Sequence, residues 1–433
     1  MDVRPDPVLS APTDPSRAAA GATLMFMVMV ATLPLHTVFL PAWISWKPWL
    51  VALVVVAGLH AVAGVRDRTW PWHRAISAAG ALFLVAMASS WSGAADERYV
   101  RLLLALGVGL AVLLVTEREL RAPGMMERTL RVVFWSGAAM AISALMVSVL
   151  SVGALGETAL QRVNDLPGIE RVAVSAYRSQ GFIAVTNWHQ DPGYAAAWLN
   201  LWATLGSIAA LRGWGSRRLW LDATVVGGLW FAVVMTLSRT GLLGTVVAGM
   251  ALLWHHRDRL REMIRFAALS MAVVLVLLAA VWAVDRPGVG GDLGTALSFR
   301  FSQGLTLGPG DPDPDGGVIN DSRSEVWPIY IDAFREHPIR GIGLGTGWAN
   351  EIQEPHNLLL ELLGETGLIG FTGFALLFTV VVRRAHNPIG RTALIVALAA
   401  AITQTVLFEA TWWFAAGLAV APDRGPPLGG DPA

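Results

Sequence analysis

The chain has 433 residues, of which 54% are hydrophobic and only 15% charged, with a mean hydropathy of +0.53; a soluble domain of this length does not carry that composition. The formal net charge is zero, which argues against nucleic acid as a partner. Cysteine is absent, so disulfides and thiolate metal sites are excluded.

The leading stretch Met1–Arg17 holds four prolines and lacks the apolar h-region of a signal peptide. Residues 1–18 therefore read as a disordered cytoplasmic tail. Apolar runs follow at about 19–40, 46–64, 73–92, 99–116, 130–152, 191–211, 219–236, 239–254, 264–284, 358–382, 391–408 and 409–421. They predict an all-α polytopic membrane bundle of 11–12 transmembrane helices. Residues 19–284 make the main bundle, with an outer loop at 153–190. Residues 285–357 form a large outer loop with short helices, 358–421 the C-terminal transmembrane helices, and 422–433 a second disordered tail.

Arginine sets the orientation. It clusters in the connections 65–74, 116–131, 211–218, 255–265 and 383–391. These are alternate connections, so all five are expected in the cytoplasm. Of the 32 basic residues only Lys47 is a lysine, which fits arginine-rich codon usage, although arginine also suits phosphate recognition.

The outer loops carry the arginines that defy this bias. Arg178 precedes Asn187-Trp-His-Gln-Asp191 and the next helix; a structural and an anion-binding role are both open for it. Asp191 reads as a helix cap before Pro192, and His189 as a packed interface histidine. Arg239 lies in Leu237-Ser-Arg-Thr-Gly241. The stretch 219–254 would span roughly 54 Å as one helix, too long for one crossing of a ~30 Å core. Two short helices with a tight turn fit better. A charge at such a turn is a functional candidate, with snorkelling to headgroup phosphates as the competing reading.

In the long loop, Ser322-Arg-Ser-Glu325 fits a capping box for a helix running to about Glu336. Trp327, Tyr330, Ile331 and Phe334 give it an apolar stripe, and Pro328 should kink it. Arg323 in its first turn opposes the macrodipole, which suggests an anionic partner or a salt bridge to Glu325. The run Gly341-Ile-Gly-Leu-Gly-Thr-Gly347 can present backbone N–H groups to an anion or form a tight turn. Then a helix begins at Glu354-Pro-His-Asn-Leu-Leu-Leu-Glu-Leu-Leu-Gly-Glu-Thr-Gly367. Asn357, Glu361 and Glu365 are spaced to share one helix face, and His356 stands just before the first turn. The two glutamates serve acid/base work or a structural, orienting role. No metal-ligand motif, Walker loop or Gly-x-Ser-x-Gly appears.

Three pieces together resemble the O-antigen ligase and O-antigen polymerase superfamily of bacterial inner-membrane glycosyltransferases. They are Ser238-Arg-Thr-Gly241, Arg323-x-x-x-Trp327 followed by His337-Pro-x-x-Gly-x-Gly-x-Gly345, and His356-Asn-Leu-Leu-Leu-Glu-x-x-x-Glu-x-Gly-Leu-Ile-Gly370. The resemblance implies a multi-pass inner-membrane enzyme whose site, in the loop 285–357, faces the periplasm. It implies an undecaprenyl-pyrophosphate-linked glycan as donor, with no metal and no other cofactor. His356 would act on the acceptor hydroxyl. Arg178, Arg239 and Arg323 would hold the pyrophosphate, supported by Ser238, Asn357, Glu361 and Glu365. The acceptor is lipid A–core for an O-antigen ligase of lipopolysaccharide biosynthesis, the favoured reading. A growing glycan would make it a polymerase, and a protein an O-oligosaccharyltransferase. A polytopic transporter is the reading from another class; it should show paired broken helices and internal repeats, and the sequence shows no such repeat.

Overall fold

The computed structural model describes residues 17–35, 47–66, 70, 72–91, 96–152, 176–179, 182–185, 192–284, 323–349, 354–402 and 404–422. Before the long loop its helices are α1 (Arg17–Thr32), α2 (Pro48–Arg66), α3 (Arg74–Ala88), α4 (Asp96–Glu119), α5 (Met125–Val152), α6 (Pro192–Leu211), α7 (Leu219–Met235), α8 (Arg239–His255) and α9 (Leu260–Val284). After it come α10 (Arg323–Glu336), α11 (Thr346–Ala349), α12 (Leu358–Glu361), α13 (Gly367–Arg384), α14 (Pro388–Ala401) and α15 (Ala410–Val420). Six helical stretches among the described residues are long and apolar enough to cross a membrane, and five shorter apolar helices of 10–17 residues stand beside them. The chain is an all-α polytopic membrane protein. Each expected apolar run coincides with a helix. The first is cut short at Thr32, where Pro34 cannot continue it.

A helix that is apolar all round belongs at the centre of a bundle, and α6 and α15 are buried along almost their whole length. Small residues let their neighbours close in. Gly109 of α4 lies against the Trp413 indole, and Gly390 of α14 lies on the backbone of Leu418 and Ala419. A polar clasp joins α6 to α8. Asn200 Nδ2 donates to the Gly241 carbonyl at 2.9 Å, and Thr245 Oγ1 donates to Asn200 Oδ1 at 3.0 Å. Inside a membrane such a satisfied pair fixes the register of two helices.

The five arginine-rich connections meet at one end. Arg384 bonds His73 at 3.0 Å, Arg131 donates to the Trp214 carbonyl at 3.4 Å, and Arg212 and Thr392 both bond His255, at 3.4 and 3.2 Å. Arg121–Glu117 at 2.8 Å and Arg131–Glu127 at 2.6 Å pair charges on the same rim. The alternation expected from the sequence is thus present in the packing.

Within the connection 153–190, Ala176–Ser179 (β1) and Phe182–Val185 (β2) pair antiparallel, with Arg178 opposite Ile183. The helix expected from 358 to 382 is not continuous. α12 gives way to a π turn at Leu362–Thr366, and Gly367 then adopts φ +61 before α13. The long loop causes the break. Ile342 and Gly343 N–H groups donate to the Gly364 and Glu365 carbonyls at 3.0 and 2.8 Å, while Leu368 and Ile369 N–H groups donate to the Pro338 and Ile339 carbonyls at 2.9 and 3.1 Å. The tyrosine ring of Tyr330 packs on Gly364, where no side chain would fit. The i→i+5 turn therefore opens backbone groups that the loop satisfies. α10 itself runs unbroken through Pro328.

Candidate functional site

The end opposite the arginine rim is built around four consecutive residues, which are tied to α4, α6, α10 and the segment that follows α14. Glu354 reaches Arg98, in the first turn of α4, at 3.5 Å, and accepts from the Tyr194 hydroxyl of α6 at 3.0 Å. The Pro355 carbonyl accepts from Trp327 Nε1 of α10 at 2.9 Å. His356 Nδ1 lies 3.0 Å from Gln404 Oε1, just beyond α14. Asn357 Nδ2 donates to the Ile402 carbonyl at 3.1 Å, while its side-chain oxygen caps α12 by accepting from Leu359 and Leu360 N–H.

His356 itself has φ +46. A residue with a Cβ pays of order 1–3 kcal/mol to stay there, and does so when its surroundings over-determine it. The neighbouring anchors supply that. An amide oxygen only accepts, so with Gln404 in this orientation a neutral His356 would donate from Nδ1 and keep Nε2 as the acceptor. The imidazole is half-buried, edge-on to the Tyr194 ring at 6.4 Å. A held tautomer on a half-exposed ring is the geometry of a proton acceptor.

Behind this segment lie the two glutamates. Glu365 is 2% exposed, and its carboxylate accepts from the N–H groups of Gly345 at 2.8 Å and Gly347 at 3.3 Å. The glycine run does present N–H groups to an anion, and that anion is the chain's own. Glu361 is 7% exposed, and its Oε2 has no hydrogen-bond partner among the described residues. Asn357 caps α12, and Glu361 and Glu365 are both buried behind it. Tyr330 is buried against Gly347 and Gly364. Burial, then the nearby Glu365, Glu361 and Glu354 carboxylates, push its phenol well above the usual range, so it stays a neutral hydroxyl.

Arg239 is the first residue of α8, after Ser238, whose hydroxyl caps the helix by accepting from Gly241 N–H at 3.2 Å. The expected tight turn between two short helices is present, with Leu237 at φ +49. The clasp places Arg239 at the same end as His356. A Cβ on Gly241 would meet Ala196, two residues along α6 from Tyr194, just as Gly241 is two residues along α8 from Arg239. Arg178 lies in β1 and Arg323 opens α10; their side chains fall outside the described residues, as do Asn187, Trp188, His189, Asp191 and the cap Ser322. The structure thus brings His356, Asn357, Glu361 and Glu365 into one cluster and puts Arg239 at its level.

Arg98, Tyr194, Glu354 and Gln404 were missed. Gln404 and Tyr194 had a signal: each is a polar group inside or at the edge of an apolar run, where polarity marks function. Arg98 is a further arginine in an outer connection. Among the described residues no group of three or more His, Cys, Asp or Glu is arranged to hold a metal.

Compared with known families, residues 223–375 match the family model described as O-antigen ligase. That stretch runs from α7 into α13 and includes Arg239, Tyr330, Glu354, His356 and both glutamates, but not Arg98, Arg178, Tyr194 or Gln404. Comparison with curated proteins finds no match.

Proposed function

Starting from an O-antigen ligase domain in residues 223–375, which supports the O-antigen ligase and polymerase superfamily, we propose that the protein transfers glycan from undecaprenyl pyrophosphate to an acceptor hydroxyl at the periplasmic face of the bacterial inner membrane. Lipid A–core is the acceptor of this reading, which makes the protein an O-antigen ligase of lipopolysaccharide biosynthesis. The observation that carries it is the position of His356, with Nδ1 3.0 Å from Gln404 Oε1 on a backbone at φ +46.

In the reaction, His356 Nε2 takes the proton of the acceptor hydroxyl. That oxygen bonds to the anomeric carbon of the glycan as the bond from that carbon to the phosphate oxygen breaks. Undecaprenyl pyrophosphate leaves with the electron pair. Its developing charge needs cations in a site shielded from water. Arg239 is assigned this role, strengthened by the N-terminus of α8 at which it stands. Arg178 and Arg323 are assigned to the same diphosphate. Glu354, with Arg98 and Tyr194, positions the histidine segment. Glu365 holds the glycine run behind it.

Incubating the purified full-length protein with undecaprenyl-pyrophosphate glycan and lipid A–core tests the reading. The expected product is glycan joined to lipid A–core, formed equally with and without EDTA. Elongated lipid-linked glycan and no lipid A product would make the protein a polymerase. Glycan joined to a protein hydroxyl would make it an O-oligosaccharyltransferase. No bond formed with any acceptor would overturn the enzymatic reading.

A further inference from the structure

At the arginine-rich end, away from the site above, a groove of about 930 Å³ opens between α1 and α5. Its walls are apolar: Leu24, Met27 and Ala31 on one side, Met125, Val132 and Trp135 on the other. Leu24 and Trp135 are 60% and 47% exposed, so the described residues leave these two side chains of the walls uncovered. Along α1 the lining runs from Ala19 to Ala31, roughly 18 Å at the helical rise. One leaflet of a ~30 Å hydrocarbon core is of about the same depth.

Two arginines, Arg128 and Arg131, line the same groove. Helical side chains lean toward the N-terminus of their helix, here the arginine-rich rim. Arg131 does so, donating to Glu127 at 2.6 Å and to the Trp214 carbonyl at 3.4 Å. Arg128 is exposed and makes no ion pair among the described residues. Glu127, its neighbour in the sequence, is paired with Arg131. The groove therefore has positive charge at its mouth and apolar walls beyond, to the depth of one leaflet.

We propose that this groove binds one anionic phospholipid from the leaflet on the arginine-rich side. The phosphate meets Arg128 and Arg131, and an acyl chain lies along Leu24, Met27 and Trp135. A soluble anion would have no use for the apolar wall. A zwitterionic lipid would gain less from the two guanidiniums. Residues 1–16 precede α1 in the sequence and carry Arg4, Asp2, Asp6 and Asp14; they are interrupted by prolines and have no apolar run to match the wall.

The test uses the full-length protein in native mass spectrometry, titrated with phosphatidylglycerol or phosphatidylcholine in detergent. One equivalent of phosphatidylglycerol should be retained in preference to phosphatidylcholine. The double variant Arg128→Gln with Arg131→Gln should retain it about tenfold less. Met27→Trp, which fills the groove and leaves both charges, should also lose it. A photoreactive residue at Leu24 in an otherwise unchanged chain should capture lipid. Equal retention of the two lipids overturns the proposal, and so does retention that survives both variants. Capture of residues 1–16 by the Leu24 probe would also overturn it, showing that the chain fills its own groove. None of these outcomes depends on glycan transfer.

Discussion

Replacing His356 by asparagine should lower glycan transfer by about 10²- to 10⁴-fold, the usual contribution of a positioned general base, and leave binding of the lipid-linked donor unchanged. Asparagine is the informative choice because it tolerates a positive φ. It keeps the backbone at +46 and removes only the imidazole. If the histidine served only to shape the turn, the asparagine variant would retain activity, and single-turnover product formation would match the wild type. Gln404→Leu is the companion. It leaves Nε2 in place but releases Nδ1 from its partner 3.0 Å away. The ring is then free to take the other tautomer, and kcat should fall by about tenfold, a lost hydrogen bond's worth of positioning. Donor KM should stay where it was in both variants.

The two buried glutamates should respond with opposite signs. Glu365 receives two N–H groups, at 2.8 and 3.3 Å, from the glycine run. In Glu365→Gln the new amide N–H₂ confronts one of these donors. Leaving a buried donor unpaired costs about 1–3 kcal/mol, so the variant should lose stability of that order and unfold at a clearly lower temperature in detergent. Activity should fall with it. Tyr330 rests on Gly347 and Gly364, and the same helix holds Pro355 through Trp327, so a loosened glycine run displaces the histidine segment. Glu361→Gln keeps the shape of the side chain and removes a carboxyl that would bury a negative charge close to Glu365. Burying such a group is costly, so that variant should be at least as stable as the wild type. Equal destabilisation by both would contradict the division of roles between them.

Much of this was legible in the sequence because lipid leaves few choices. Backbone groups must be satisfied within the element, so apolar runs became helices within a few residues. The limit on helix length foretold the turn at Ser238 and Arg239. His356, Asn357 and Glu365 stood out because charge and polarity gather at the edge of an apolar run. The π turn left no such mark. The leucine pattern continues through Leu362 and Leu363, and only the loop that docks on Gly364 and Gly367 makes the break favourable. The partners of the histidine segment were hidden for a related reason. Arg98, Tyr194 and Gln404 come from α4, α6 and the stretch after α14, and their convergence depends on helix packing rather than on any local pattern. The hairpin at 176–185 was hidden because two four-residue strands in a polar loop carry too little periodicity.

The account requires that the cluster of Glu354, His356 and Gln404 face the opposite side of the membrane from the arginine rim. The chain has no cysteine, so a single introduced cysteine reports unambiguously. Ile339, beside the cluster's glycine run, is 62% exposed, and Arg261 is exposed at the other end. In cells with a permeabilised outer membrane and an intact inner one, an impermeant maleimide should label Ile339→Cys and spare Arg261→Cys. Labelling of Arg261→Cys with protection of Ile339→Cys would place the histidine in the cytosol, and the proposed transfer at the periplasmic face would be wrong.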